Sequence, residues 1–264
     1  MGNLRASVPG LVTVIIPFFN RERFLAQTLQ SVLGQGVPKL QIILADDGST
    51  GRCCSLAQSL RDRRILLVRS RKRRGKPHAV NQGMRFALGE WVTFFDSDDL
   101  MLPGSLQSRM DFLKRRPEAL AVMGRVGWLI NESGRPLSRS HPVHAEFQSS
   151  LKASRRLARR FGSLVPEIFV YGRCPLSPLS VTLFRRDAVR QVGRLDERLA
   201  PWEDRDYLMR LALLQPVPFL DLPVMCYRVH RGNASFQVVN GRQFHPKAGL
   251  LEKRLKAKYT ELSG

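Results

Sequence analysis

Ten of the chain's 22 acidic residues fall in four short clusters, Asp46-Asp47, Asp96/Asp98/Asp99, Asp196-Glu197 and Glu203/Asp204/Asp206, although Lys and Arg number 43 and the formal net charge is +21. Two kinds of chemistry use acids in this way. Carboxylates crowded at Asp96-Ser97-Asp98-Asp99 repel one another unless a cation sits among them. Hard divalent ions such as Mg²⁺ or Mn²⁺ take such oxygen ligands and keep places for water and a diphosphate. A carboxylate can also take the proton from an attacking hydroxyl. Each cluster has a plainer reading as well: Asp99 as the cap of the helix after Pro103, Asp46-Asp47-Gly48-Ser49 as a turn and cap, Glu203 and Asp204 as acids at the positive end of a helix dipole. A lone His such as His230, in Tyr227-Arg228-Val229-His230, is more often structural than a ligand.

The elements that must position these groups follow from periodicity. Val12–Ile16, Gln41–Ala45, Ile65–Val68 and Trp91–Phe95 read as buried strands. Helical patterns lie between them over Arg21–Leu33, about Arg52–Leu60 and Lys76–Leu88, the last ended by Gly89, and Gly104–Arg115 follows Pro103. Strands alternating with helices predict an α/β fold with a doubly wound, mostly parallel sheet and helices on both faces. In such sheets ligands bind at the carboxyl ends of the strands. Pro17-Phe18-Phe19-Asn20, Asp46-Asp47-Gly48-Ser49 and Asp96-Ser97-Asp98-Asp99 all occupy such ends and should converge. The second half is less regular: apolar Ala121–Ile130, a basic helix through Arg155, Arg156, Arg159 and Arg160, a strand over Leu179–Phe184, a helix over Trp202–Leu214, a strand over Val217–Leu220 and a final helix over Lys247–Leu262.

The 264 residues suffice for one large core with an appendage. No apolar run approaches the roughly 20 residues needed to cross a bilayer, and MGNLRASVPG has no apolar leader core. Cys53, Cys54, Cys174 and Cys226 lack C-x-x-C spacing, and reduced structural thiols are expected. The expected location is cytoplasmic, with peripheral association at the cytoplasmic face of a membrane as an option. HExxH, GxxxxGK[ST] and GxSxG are absent, which removes the usual anchors of zincin, P-loop and α/β-hydrolase chemistry.

Five ordered segments, VTVIIPFFNRERFLAQTLQSVLGQ, QIILADDGST, NQGMRFALGEWVTFFDSDDLMLPG, VGRLDERLAPWEDRDYLMRLAL and CYRVHRGNAS, resemble the inverting nucleotide-sugar glycosyltransferases of family 2, which have the GT-A fold. The resemblance covers about residues 11 to 235. It implies a GT-A domain there, with residues 11–115 as the nucleotide-sugar half and 116–235 as the acceptor side, flanked by an extension (1–10) and a basic helical tail (236–264). Asp47 and the turn Pro17, Phe19 and Asn20 would face the nucleotide base and ribose. Asp96 and Asp98 would form the D-x-D motif, with Asp98 the more direct ligand of a Mn²⁺ or Mg²⁺ cofactor and His230 a further metal or phosphate contact. Asp204 would be the general base, with Trp202 and Glu203 on the acceptor side. Family members commonly carry Ala-Arg-Asn-x-Gly where this chain has Ala79-Val80-Asn81-Gln82-Gly83. Asn81 keeps its donor-binding role, and Lys76 or His78 would stand in for the missing Arg. Phe19 replaces a common Tyr, keeping a ring for stacking and losing a hydroxyl.

The implied partners are a nucleotide-sugar donor and a glycan, lipid or lipid-linked acceptor. Nine basic residues between Arg61 and Lys76, five in Lys152–Arg160 and six in Arg242–Lys258 form solvated faces or suit an anionic membrane. A nucleic-acid partner lacks a recognition-helix, zinc-finger or RNP-like pattern. Two other readings stay open: a GT-A-like nucleotidyltransferase, although Leu11–Asn20 lacks the Gly-rich loop it needs, and a non-catalytic polyanion-binding protein.

Overall fold

The computed structural model describes residues 6–50, 62–161, 163–164, 179–200, 202–233, 238–239, 242–243 and 248–263. The elements run in the order β1 (Val8–Phe18), α1 (Leu25–Leu33), β2 (Leu40–Asp46), β3 (Ile65–Arg69), α2 (Lys76–Met84), β4 (Gly89–Phe94), β5 (Leu100–Met101), α3 (Ser105–Arg115), β6 (Ala121–Ile130), α4 (Pro142–Phe161), β7 (Ser163–Leu164), β8 (Thr182–Arg185), α5 (Arg186–Val192), a 3-10 turn (Glu197–Leu199), α6 (Glu203–Leu214), β9 (Val217–Arg228), β10 (Val238–Val239), β11 (Arg242–Gln243) and α7 (Ala248–Ser263). The helix expected over about Arg52–Leu60 lies outside the described residues, as do Cys53, Cys54 and Cys174.

The main sheet has the order β3-β2-β1-β4-β8-β6-β9-β5, and β7 pairs with β9. β3, β2, β1 and β4 are parallel, as are β6 and β9, and only β8 and the short β5 and β7 run against their neighbours. The expected mixed α/β architecture with a mostly parallel sheet is therefore observed. Residues Val12 to Phe18 of β1 are all buried, as a strand covered on both faces requires. Each fully buried Val, Ile or Leu contributes roughly 1.5–3 kcal/mol, and Val12, Val14, Ile15, Ile16, Ile42 and Leu44 form one continuous core. Helix α2 lies close on this core because residue 83 is glycine: a Cβ there would sit 2.8 Å from Ile15 Cγ2.

Several boundaries differ from the sequence expectation. Val8–Gly10 belong to β1 and not to an extension, with Val8 paired to Gly89 and Gly10 N donating to Glu90 Oε2 at 2.7 Å. Helix α1 starts at Leu25, since Arg21 to Phe24 form a turn after Asn20, whose φ of 48° is left-handed. Helix α2 stops at Met84, four residues early, because Leu88 N and Gly89 N donate instead to Gln41 Oε1 and Thr13 Oγ1 as β4 begins. The strand expected over Val217–Leu220 continues to Arg228, through Pro218, Asp221 and Pro223, with irregular register against β6. The final helix, expected over Lys247–Leu262, is α7 (Ala248–Ser263), with Leu255 fully buried and the helix packed on α6.

Candidate active site

The ends of β1 and β2 are stitched together by backbone and side-chain hydrogen bonds. Asn20 N donates to Ser49 Oγ (2.9 Å), Thr50 N donates to Asn20 Oδ1 (3.1 Å), and Asp47 N donates to Phe18 O (2.9 Å). Asp47 accepts the backbone N–H groups of Arg74 and Gly75, both at 2.8 Å, so its carboxylate holds the β3–α2 loop against β2. Gly48, at φ +82°, lets that loop come close, because a Cβ would lie 2.7 Å from the Lys72 carbonyl carbon. Phe19 presents its ring to the Arg73 guanidinium, 4.3 Å from the ring centre. Pro17 is buried near the end of β1.

Lys76 leads α2 into the cleft. Its Nζ lies 2.6 Å from Asp96 Oδ1 and 3.8 Å from Glu203 Oε1, linking the end of β4 to the start of α6. Burial opposes the charge on Lys76, but Asp96, Glu203 and Asp204 together outweigh it and hold its pKa above the ordinary lysine range. Of the two residues offered as replacements for the family arginine, Lys76 reaches Asp96 and Glu203, and His78 is turned to a different acid. His78 Nδ1 meets Glu197 Oε1 at 3.2 Å. Asn81 is likewise turned to the 195–197 segment: its Nδ2 donates to Leu195 O (3.0 Å) and Glu197 Oε1 (3.2 Å), and its Oδ1 accepts from Leu195 N (2.9 Å). A donor contact from Asn81 would have to replace these bonds.

After β4 the chain turns over Asp96–Asp99, fastened by Thr28 Oγ1, which donates to Ser97 O (3.0 Å) and Asp99 O (2.9 Å). Asp98 Oδ2 meets His230 Nε2 at 3.0 Å and Arg21 at 3.4 Å. Burial would raise the Asp98 pKa, but the hydrogen bond from His230 and the charge of Arg21 keep it below the usual carboxylate range. His230 Nδ1 accepts the Gly232 N–H at 3.0 Å, so the ring proton sits on Nε2 and points at Asp98. Asp99 is the opposite case. It accepts from Arg228 N (2.8 Å) through Oδ1, Oδ2 has no partner among the described residues, and burial followed by the Asp98 and Asp96 charges pushes its pKa well up.

On the facing side, Trp202 precedes α6 and carries the Arg205 guanidinium 4.7 Å from its ring centre. Glu203 is buried with Oε2 unpartnered among the described residues, and burial pushes its pKa up to about 7, with Lys76 opposing and Asp204 adding to the rise. Asp204 is half-buried and accepts from Arg205 N at 2.7 Å. Burial raises its pKa too, against the pull of Lys76. Asp206, fully buried, pairs with Arg210 of the same helix (2.7 Å) and with Lys258 of α7 (2.6 Å), and Lys258 also reaches Asp196 at 3.1 Å.

The sequence reading passed over Arg21, Arg228 and Lys258. Arg228, fully buried, donates from Nε to Asp98 O (2.7 Å) and from Nη2 to Gln27 Oε1 (2.8 Å), and thereby fixes the acidic turn. Its place beside Tyr227 and His230 in CYRVHRGNAS was the available signal.

Among the described residues no three His, Cys, Asp or Glu side chains converge as a complete metal cage. Asp96 and Asp98 nonetheless fit a hard divalent cation. Each uses one carboxylate oxygen on a cationic neighbour and has the other without a partner among the described residues, a donor set that a diphosphate would complete.

The family model "Glycosyl transferase family 2" matches residues 13–192. A Campylobacter jejuni protein named GalNAc(5)-diNAcBac-PP-undecaprenol beta-1,3-glucosyltransferase is 35% identical over 102 residues, 38% of this chain and 33% of that one. Across curated relatives the matched stretch covers 15% to 53% of their length. Among solved structures, Staphylococcus aureus TarS 1–349 in complex with UDP-GlcNAc superposes with a TM-score of 0.69 at 19% identity, covering 94% of this chain and 66% of that one. The mannosyltransferase PcManGT from Pyrobaculum calidifontis, in complex with GDP-Man and Mn²⁺, gives 0.59 at 22% identity, covering 84% and 57%. At these identities the likeness is one of fold, which agrees with the GT-A architecture.

Proposed function

Because the chain belongs to glycosyl transferase family 2, we propose that it moves a sugar from a nucleotide-diphosphate donor to a hydroxyl of a glycan, lipid or lipid-linked acceptor. The reaction is a metal-dependent single displacement that inverts the anomeric centre. The observation that carries this reading is Lys76, whose ammonium lies between Asp96 on the strand ends and Glu203 on α6. One space is thus bordered by groups suited to an anionic leaving group and by groups suited to accepting a proton. UDP-GlcNAc and GDP-Man in the named structures, and the undecaprenol diphosphate in a relative's name, support a nucleotide-sugar donor and a lipid-linked acceptor.

In this reading the Pro17–Asn20 turn, the Phe19 ring and Asp47 cradle the base and ribose. Asp96 and Asp98 would hold Mn²⁺ or Mg²⁺, which when bound stabilises the negative charge growing on the departing diphosphate. His230 orients Asp98 through its Nε2 proton. Asp204 takes the acceptor proton. Its raised pKa suits that task, because a base works best when its pKa approaches the operating pH. Trp202 and Glu203 border the acceptor. Among the described residues no helix is long and apolar enough to cross a membrane. Peripheral contact of the basic helices α4 and α7 with an anionic cytoplasmic membrane face is a further part of this proposal.

A screen of UDP-, GDP- and dTDP-sugars with Mn²⁺ by thermal unfolding tests the donor assignment. A donor at 100 times its Kd stabilises by about 2.7 kcal/mol, a shift of roughly 5–10 °C for a domain of this size. No shift with any nucleotide sugar, with or without Mn²⁺, would contradict the proposal.

A further inference from the structure

Away from the donor cleft, the β3–α2 loop and the flank of α2 enclose a groove of about 440 Å³ lined by Val68, Arg69, Ser70, Arg71, Lys72, Arg74, His78 and Gln82. Among the described residues no Asp or Glu lines it, and Phe19, Lys76, Asp96 and Asp98 lie outside it. Five of the six residues from Arg69 to Arg74 are basic. Arg69 is paired with Asp46 (3.1 Å) and Arg74 with Glu197 (3.6 Å). Arg73 is turned to the Phe19 ring. Arg71 and Lys72 are exposed and have no carboxylate partner among the described residues.

The loop that carries these cations is held at several points. Ser70 N donates to Asp46 O (2.9 Å), Arg69 Nη2 donates to Ser49 O (3.0 Å), and Asp47 grips Arg74 N and Gly75 N. A concave surface with four cations, two of them unneutralised, on an anchored loop concentrates anions far more than the same charges on a flexible tail. The Arg forks and the Lys ammonium match phosphate oxygens. His78 and Gln82 can add hydrogen bonds from the α2 wall.

We propose that this groove is a second anion site, separate from the donor cleft, which takes a phosphate-bearing ligand. Phosphate chemistry of this kind could come from a free polyphosphate chain or from an anionic lipid headgroup, and one experiment with two arms separates them. Tripolyphosphate is titrated calorimetrically into the full chain in metal-free buffer, and phosphatidylglycerol vesicles are used for co-sedimentation with phosphatidylcholine vesicles as the blank. For whichever probe binds, Arg71→Ala/Lys72→Ala should weaken binding about 30-fold, roughly fivefold per cation removed. Gln82→Glu, a carboxylate added from the helix wall, should weaken it at least about fivefold with the circular dichroism unchanged. Lys76→Met should leave binding within about twofold of wild type. Binding of tripolyphosphate alone identifies a free chain as the source, and binding of vesicles alone a lipid headgroup. Either result supports the site. The site is overturned if neither probe binds, if the double variant binds as wild type does, or if Lys76→Met abolishes binding while the double variant retains it.

Discussion

Asp46, Asp47, Asp96 and Asp98, at the ends of β2 and β4, each meet a cation or a backbone amide at close range, whereas in the first turn of α6 burial outweighs the help that Glu203 draws from Lys76 at 3.8 Å and half-buried Asp204 from the Arg205 N–H. The contrast is electrostatic and assigns different work to similar side chains. Asp98, whose neighbours hold its pKa below the usual carboxylate range, is suited to holding a cation. Carboxylates pushed upward by burial are suited to taking a proton. Asp99 marks the limit of the rule, since it sits on the strand side yet is pushed up by burial and its two acidic neighbours. It faces Arg228 and not the cleft, which suits a structural role.

Breaking the proton-accepting side should have the largest effect. Asp204→Asn is expected to lower transfer by about 10²- to 10⁴-fold, the usual contribution of a general base, with donor affinity within about twofold of wild type. Initial rates and calorimetry on the same preparation check this. Asp98→Asn should reverse the pattern, weakening nucleoside-diphosphate affinity in Mn²⁺ by roughly 100-fold, the upper end of what even an outer-shell partner contributes.

Lys76→Met disturbs both sides together. Asp204 must be ionised to act, so activity is present above its raised folded pKa and lost as pH falls through it. Lys76 lowers that pKa. Removing the lysine should therefore move the acid limb of the rate profile upward by about one pH unit, while Lys76→Arg keeps the limb in place. The smallest effect is expected at Lys258→Met, which removes the ion pairs between α7 and Asp206 and Asp196. A loss of about 1–2 kcal/mol would appear as a drop in Tm of roughly 2–8 °C, with little change in donor affinity.

The strand-side half was largely legible in the sequence because buried parallel strands read as apolar runs and their ends carry the polar clusters. The α6 side was legible only as a motif. Its setting depends on contacts distant in sequence: Asn81 and His78 with Leu195 and Glu197, Lys76 with Glu203, Lys258 with Asp206. Strand β9 was underestimated because Pro218, Asp221 and Pro223 interrupt the pattern expected of a strand, and they are tolerated where the pairing with β6 is irregular. The role of Asp47 in holding a loop through backbone amides has no sequence signature, nor has the insertion of antiparallel β8 between β4 and β6.

The division of labour between the two sets of carboxylates is tested most directly by following side-chain carboxyl ¹³C shifts against pH in the ligand-free protein, with Asp98→Asn, Glu203→Gln and Asp204→Asn used to assign the signals. The account predicts that Glu203 titrates near pH 7 and Asp204 above the ordinary aspartate range, while Asp98 titrates below that range. Asp204 titrating at or below Asp98 would contradict it.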